Sequence, residues 1–243
     1  LTFDNFFAGE ANAFTFKIAQ AIAAAPGSEY NPFFLYGKVG VGKTHLISAI
    51  GNANMAASKT AEPNKCNRIG YVSASHFARR LMSALAENAL DIFRENYCHW
   101  DLLILDDIQF LGGHVEAQEE FFHIFNVLQQ EGRQIVIAGD KAPDRLGMLE
   151  QRLISRFSSG IVADLKPPEW ETRMAILHYY MEQDKAVVPE DILSMLATRI
   201  PCDVRKMTGA LRKIIAFSRL ESGKINVEDA QKILTHLGSD EAA

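Results

Sequence analysis

Apolar residues along this chain fall into short unbroken runs, separated by longer stretches in which they recur every three or four positions. The runs are "FFLY" (33–36), "IGYVS" (69–73), "DLLILD" (101–106), "QIVIA" (134–138) and "GIVAD" (160–164). Several are continuously hydrophobic, as strands covered on both faces must be. Helical periodicity lies between them. In Val115–Gln130, Phe121, Phe125 and Leu128 keep i, i+4, i+7 spacing and share an apolar face with Phe122, so these rings read as core. Strands alternating with helices predict βαβ units: an α/β fold with a parallel five-stranded sheet and helices on both faces.

The pattern changes at "LKPPE" (165–169), where Pro167 and Pro168 stop regular structure. Beyond it only helix-like stretches follow, near 168–184, 189–200, 203–221 and 226–237. Pro189, Asp203 and Asn226 stand where helix starts are expected. A domain boundary is therefore expected near residue 166, with 1–166 as the sheet domain and 167–243 as a small helical domain. "AEPNKCN" (61–67) reads as an exposed loop, and no internal repeat or low-complexity tract is found.

Composition adds limits. The 243 residues are 48% hydrophobic and 23% charged, which is ordinary globular usage. No run of about 18 apolar residues predicts a transmembrane helix. Cys66, Cys98 and Cys202 are widely spaced and form no CxxC pair; ordinary thiols in a reducing cytoplasm are expected. The first residue is Leu1, so the chain reads as an excised fragment from which a targeting segment could have been cut. Net charge is −5, and neither half is basic: 1–166 carries 15 basic and 18 acidic residues, 167–243 carries 10 and 12. Nucleic-acid contact must then be local, because no overall positive field draws phosphates in.

Two stretches carry chemistry. In "LYGKVGVGKTHL" (35–46), Gly37, Gly42, Lys43 and Thr44 fit G-x-x-x-x-G-K-[ST] between a predicted strand and a predicted helix. Such a loop turns its backbone N–H groups, here including those of Val39, Gly40 and His45, toward phosphates, with the helix N-terminus adding positive potential. Lys43 would reach the β- and γ-phosphates and the Thr44 hydroxyl would bind Mg²⁺. "LLILDDIQF" (102–110) is an apolar strand ending in two carboxylates. A parallel strand would bring them beside the phosphates, Asp106 holding Mg²⁺ through water and Asp107 orienting or deprotonating the attacking water.

With these placed, "TFDNFFAGEANAF", "NPFFLYGKVGVGKTHL", "LLILDDIQFLGG", "QEEFFHIFN", "LISRF" and "KPPEWETRMAIL" resemble the AAA+ ATPase domain of the bacterial replication initiator DnaA family over nearly the whole chain. The resemblance implies a parallel sheet followed by a helical lid, with ATP/ADP and Mg²⁺ between them. It further implies that ATP-bound subunits stack into a helical oligomer that helps to melt origin DNA, and that slow hydrolysis switches them off. Asp140 matches a polar sensor position near the γ-phosphate; the family commonly reads Ser-Asp, and here Gly139 precedes the Asp. Arg156 matches an arginine finger aimed at a neighbouring subunit's ATP, with Arg152 one helical turn before it. Arg205 matches the lid arginine. Phe6, Phe7 and Asn12 match the entrance segment that lines the base pocket, though simple hydrophobic docking of a terminal segment fits equally well. The stretch 84–101 resembles an initiator-type extra helix in which Arg94 and Tyr97 suggest an exposed edge; a plain packing helix explains them as well.

The chain also departs from the family. Where members carry a Lys and an Arg that grip single-stranded DNA, this chain has His114 and Glu116, so strand capture is expected to be weak; Arg79 and Arg80 could substitute, or could be a solvated helix face. Duplex origin DNA would be read by a C-terminal domain that is absent here, and a replicative helicase is a further partner the resemblance allows. The alternative is a related AAA+ regulator or helicase loader whose main task is to bind a partner AAA+ protein. A small-molecule kinase explains neither Arg156 nor the lid.

Overall fold

A computed structural model describes residues 1–61, 67–220 and 225–238. The chain divides into two compact units: one of 1–6, 12–38 and 42–165, the other of 7–11, 39–41 and 166–243.

The first unit is built on five strands: β1 (Phe33–Tyr36), β2 (Ile69–Ser73), β3 (Leu102–Asp106), β4 (Gln134–Gly139) and β5 (Ile161–Asp164). Their order is β2-β3-β4-β1-β5 and every pairing is parallel. Each return to the sheet is made through helix: α2 (Lys43–Ala61), α3 (Ala74–Ala86) with α4 (Leu90–Cys98), α5 (Val115–Gln130) and α6 (Gln151–Ser158), while α1 (Ala13–Ala24) precedes β1. Alternation along the strands separates the two faces. Phe34, Leu103, Leu105, Ile135 and Ile137 pack with Phe77, Phe121, Phe125 and Phe157 of α3, α5 and α6. Phe33, Leu35, Leu102, Ile104 and Val136 are equally buried on the other face, the side on which α2 crosses β3 and β4. Two-sided burial is why these strands read as continuous apolar runs.

The extra helix between β2 and β3 is α4. Its Tyr97 is buried, with its ring 5.0 Å from Phe77 and 4.7 Å from Phe93. Arg94 forks onto Glu120 of α5, Nε to Oε1 at 2.7 Å and Nη2 to Oε2 at 2.8 Å. The exposed-edge reading of these two residues is corrected: both are spent on packing α4 against its neighbours.

In the second unit, α7 (Trp170–Gln183), α8 (Glu190–Arg199), α9 (Val204–Leu220) and α10 (Val227–Gly238) surround Leu177, Ile192, Leu196, Met207, Leu211 and Ile214. The helix starts carry the caps foreseen for them. Asp203 Oδ1 accepts from the Lys206 N–H at 2.9 Å, Asn226 Oδ1 accepts from the Asp229 N–H at 2.9 Å, and Pro189 precedes α8. The N-terminal Phe7 belongs to this unit, its ring edge-on to Tyr179 at 5.6 Å. Cys98 is half-buried and Cys202 exposed, both free thiols, while Cys66 and the loop expected at 61–67 fall largely outside the described residues.

Candidate nucleotide-binding site

All five strands run the same way, so β1, β4 and β3, adjacent in the sheet, deliver their C-terminal ends to one edge. This is where open parallel sheets bind ligands. The loop from Gly37 to Gly42 leaves β1 and enters α2 at Lys43. Two of its glycines take backbone angles closed to other residues, Gly40 at φ +79° and Gly42 at φ +110°. A Cβ at Gly40 would also overlap the Asp203 carboxylate, and one at Gly42 would press on the Phe6 ring. Lys43 is only 8% exposed; its ammonium donates to the Gly37 carbonyl at 2.7 Å and the Lys38 carbonyl at 3.0 Å, which braces the loop across its mouth. Val39 at the tip is exposed. Within the second unit, the Val204 N–H donates to the Gly40 carbonyl at 2.9 Å, so the first turn of α9, which carries Arg205, begins at the loop tip.

The two motifs meet. The Thr44 hydroxyl donates to Asp106 Oδ2 at 2.8 Å. The Tyr71 phenol donates to the same oxygen at 2.7 Å, and the Asp107 N–H donates to Oδ1 at 2.9 Å. Asp106 is 3% exposed and its charge is answered by these donors. Sequence reasoning passed over Tyr71. Its signal was the strand period: Ser73 pairs with Asp106 in register, and Tyr71, two residues earlier, shares that face.

Asp107 follows β3 in the left-handed region, φ 56° and ψ 51°, and Gln109 Nε2 donates to its Oδ1 at 3.0 Å. Asp140 follows β4; its Oδ1 is buried without a hydrogen-bond partner among the described residues. It lines a cavity of about 120 Å³ with Gln109, Lys141 and Arg145. The site thus brings Lys43, Thr44, Asp106, Asp107 and Asp140 to one sheet edge. Of the entrance residues, Phe7 belongs to the second unit and Asn12 is buried in the first. Phe6 stacks on Phe16 at 5.6 Å, which is docking of a terminal segment. The His45 ring faces that segment, Nε2 lying 3.0 Å from the Thr2 carbonyl and 2.8 Å from Asn5 Oδ1. Both are acceptors, so Nε2 carries the proton. Burial pushes this imidazole below its usual value.

Arg156 is exposed on α6. Its guanidinium lies 6.0 Å from the Phe122 ring centre and Nη1 reaches Gln129 Oε1 at 3.5 Å. Arg152 lies 4.9 Å over the same ring and pairs with Glu150 and Glu119. His114 and Glu116, at the start of α5, are exposed. Arg79 and Arg80 are exposed on α3, Arg79 against His76 and Arg80 over the Tyr97 ring.

Mg²⁺ suits two hard oxygens in contact, one from Thr44 and one from Asp106. Among the described residues no three His, Cys, Asp or Glu side chains form a metal cage.

A glycine loop braced by its own lysine, joined through Thr44 to an acidic strand end in a parallel sheet, defines a P-loop nucleotide-binding ATPase fold. Residues 1–164 match the family model of the bacterial DnaA ATPase domain, and the chain belongs to that family. It is 42% identical, over 97% of its length and 51% of the relative's, to the chromosomal replication initiator protein DnaA of Methylacidiphilum infernorum (isolate V4), and so spans about half of that relative. It superposes on domain III of Thermotoga maritima DnaA with a TM-score of 0.89 at 37% identity, covering 97% of this chain and 95% of that one. A replication initiator DnaA bound to AMPPCP and single-stranded DNA gives 0.78 at 35% identity, covering 88% of this chain and 64% of that one.

Proposed function

We propose that this chain is the ATP-driven assembly switch of a replication initiator: it binds ATP with Mg²⁺, stacks head to tail with further copies on single-stranded origin DNA, and leaves that state by slow hydrolysis. The observation that carries the reading is the Thr44–Asp106 hydrogen bond, which joins the phosphate loop to the acidic strand end. The relative bound to AMPPCP and single-stranded DNA supports both ligands.

In this reading the N–H groups of the loop and of the first turn of α2 bind the phosphates, and Lys43 contacts the β- and γ-oxygens. Thr44 and Asp106 hold Mg²⁺, which supplies neutralisation of phosphate charge. Asp107 takes the proton of a water whose oxygen bonds to the γ-phosphorus as the bridging P–O bond breaks toward ADP. Asp140 lies near the γ-phosphate. Arg205 contacts phosphate beside the loop tip that its own unit contains, and Arg156 stabilises the γ-phosphate of a neighbouring copy's ATP. The DNA-facing start of α5 carries His114 and Glu116, so single-strand affinity is low for the family. The chain works in the cytoplasm; no helix among its described residues is long and apolar enough to cross a membrane.

Sedimentation of the chain with a non-hydrolysable ATP analogue or with ADP, with and without single-stranded DNA, tests the switch. Larger species are expected with the analogue alone and more so with DNA. Identical profiles for both nucleotides would reject assembly as the output.

A further inference from the structure

The carboxylate assigned above to the attacking water is not held by the backbone of the turn on which it sits. Asp107 occupies the N-cap position of a short 3₁₀ turn, Ile108–Leu111, yet its side chain makes no capping bond. An Asp in that place ordinarily accepts a backbone N–H. Its backbone is left-handed, a conformation that costs a non-glycine residue about 1 kcal/mol or more and persists where surroundings enforce it. The contact made instead is with the side chain two residues on, Gln109 Nε2 to Asp107 Oδ1 at 3.0 Å.

That contact fixes the amide. A carboxylate is acceptor-only, so the NH₂ end of Gln109 must face Asp107 and the oxygen must face away. The oxygen is buried, without a hydrogen-bond partner among the described residues. So is Asp140 Oδ1, and both side chains line the same cavity of about 120 Å³.

We propose that Gln109 is a positioning residue for hydrolysis: its amide holds one carboxylate oxygen of Asp107 and so aims the other at the attacking water. This rests on the assignment of Asp107 in the proposed function. Oδ1 is engaged by Gln109 and Oδ2 is left to take the proton.

Single-turnover hydrolysis of bound ATP by the full chain, measured beside nucleotide affinity, tests this with three variants. Asp107→Asn should abolish hydrolysis and keep ATP binding; if hydrolysis survives, the assignment of Asp107 itself is wrong. Gln109→Leu should slow hydrolysis about 10- to 100-fold, with ATP affinity within about threefold. Gln109→Glu keeps the shape of the side chain but removes the donor that holds Asp107, so hydrolysis should slow by a similar factor, again with ATP affinity within about threefold. If Asp107→Asn is inactive while both Gln109 variants keep the rate of the unaltered chain, Gln109 has no positioning role.

Discussion

At the carboxyl edge of the sheet, Lys43 and Asp106 are buried and answered by groups of their own unit: two loop carbonyls for the one, Thr44, Tyr71 and a backbone N–H for the other. On α6, Arg152 and Arg156 are exposed and share the face of Phe122. The first arrangement is complete within one chain, because a buried charge without partners could not persist. The second is an outward charge whose desolvation has not yet been incurred. The contrast separates what the fold must organise alone from what it offers to something outside. Arg94 lies between these cases, an α4 arginine fully engaged with Glu120.

Four substitutions break or sharpen that contrast. Lys43→Ala should weaken ATP binding by about 100-fold or more, roughly 3 kcal/mol, by titration calorimetry; tight binding that survives would remove the loop from the site. Arg156→Ala should abolish ATP-dependent assembly on sedimentation, yet shift stability by no more than about 0.5 kcal/mol and leave ATP affinity alone. A large loss of stability there would show that this arginine serves its own fold. Glu120→Ala should cost about 2 kcal/mol in denaturant unfolding, because Arg94 loses both charged bonds; no change would place Arg94 with the outward arginines. Glu116→Arg should have the smallest effect, a severalfold gain in single-strand affinity with a salt slope steeper by about one. A salt dependence that does not change would mean the start of α5 is not on the DNA path.

Much of the first unit was legible because its signals are local. All five strands stand where the apolar runs placed them, β1 and β2 residue for residue and β3, β4 and β5 differing by one residue at one end, and the parallel sheet follows from the helices between them. The phosphate loop is contiguous in sequence, and its glycines declare their backbone angles by being glycine. What stayed hidden depends on register and on tertiary pairing. Tyr71 reaches Asp106 only because β2 lies beside β3 in a particular register. Gln109 stands within the acidic-strand motif but carries no local mark of the bond it makes. For Arg94 and Tyr97 an exposed edge and a plain packing helix were equally open, because a helix between strands does not show in its own sequence which faces its neighbours cover; the packing reading is the one that holds. Val39–Val41 and Phe7–Ala11 join the second unit through contacts with residues more than a hundred positions away.

The ring of Phe122 has a consequence for kinetics. It holds two cations side by side, but their counterions differ: Arg152 has Glu150 and Glu119, whereas among the described residues Arg156 has only the neutral amide of Gln129. In the assembly proposed above, an arriving phosphate would therefore recruit Arg156 without first breaking an ion pair, so capture on this face should be fast and dissociation should set how long each junction lasts.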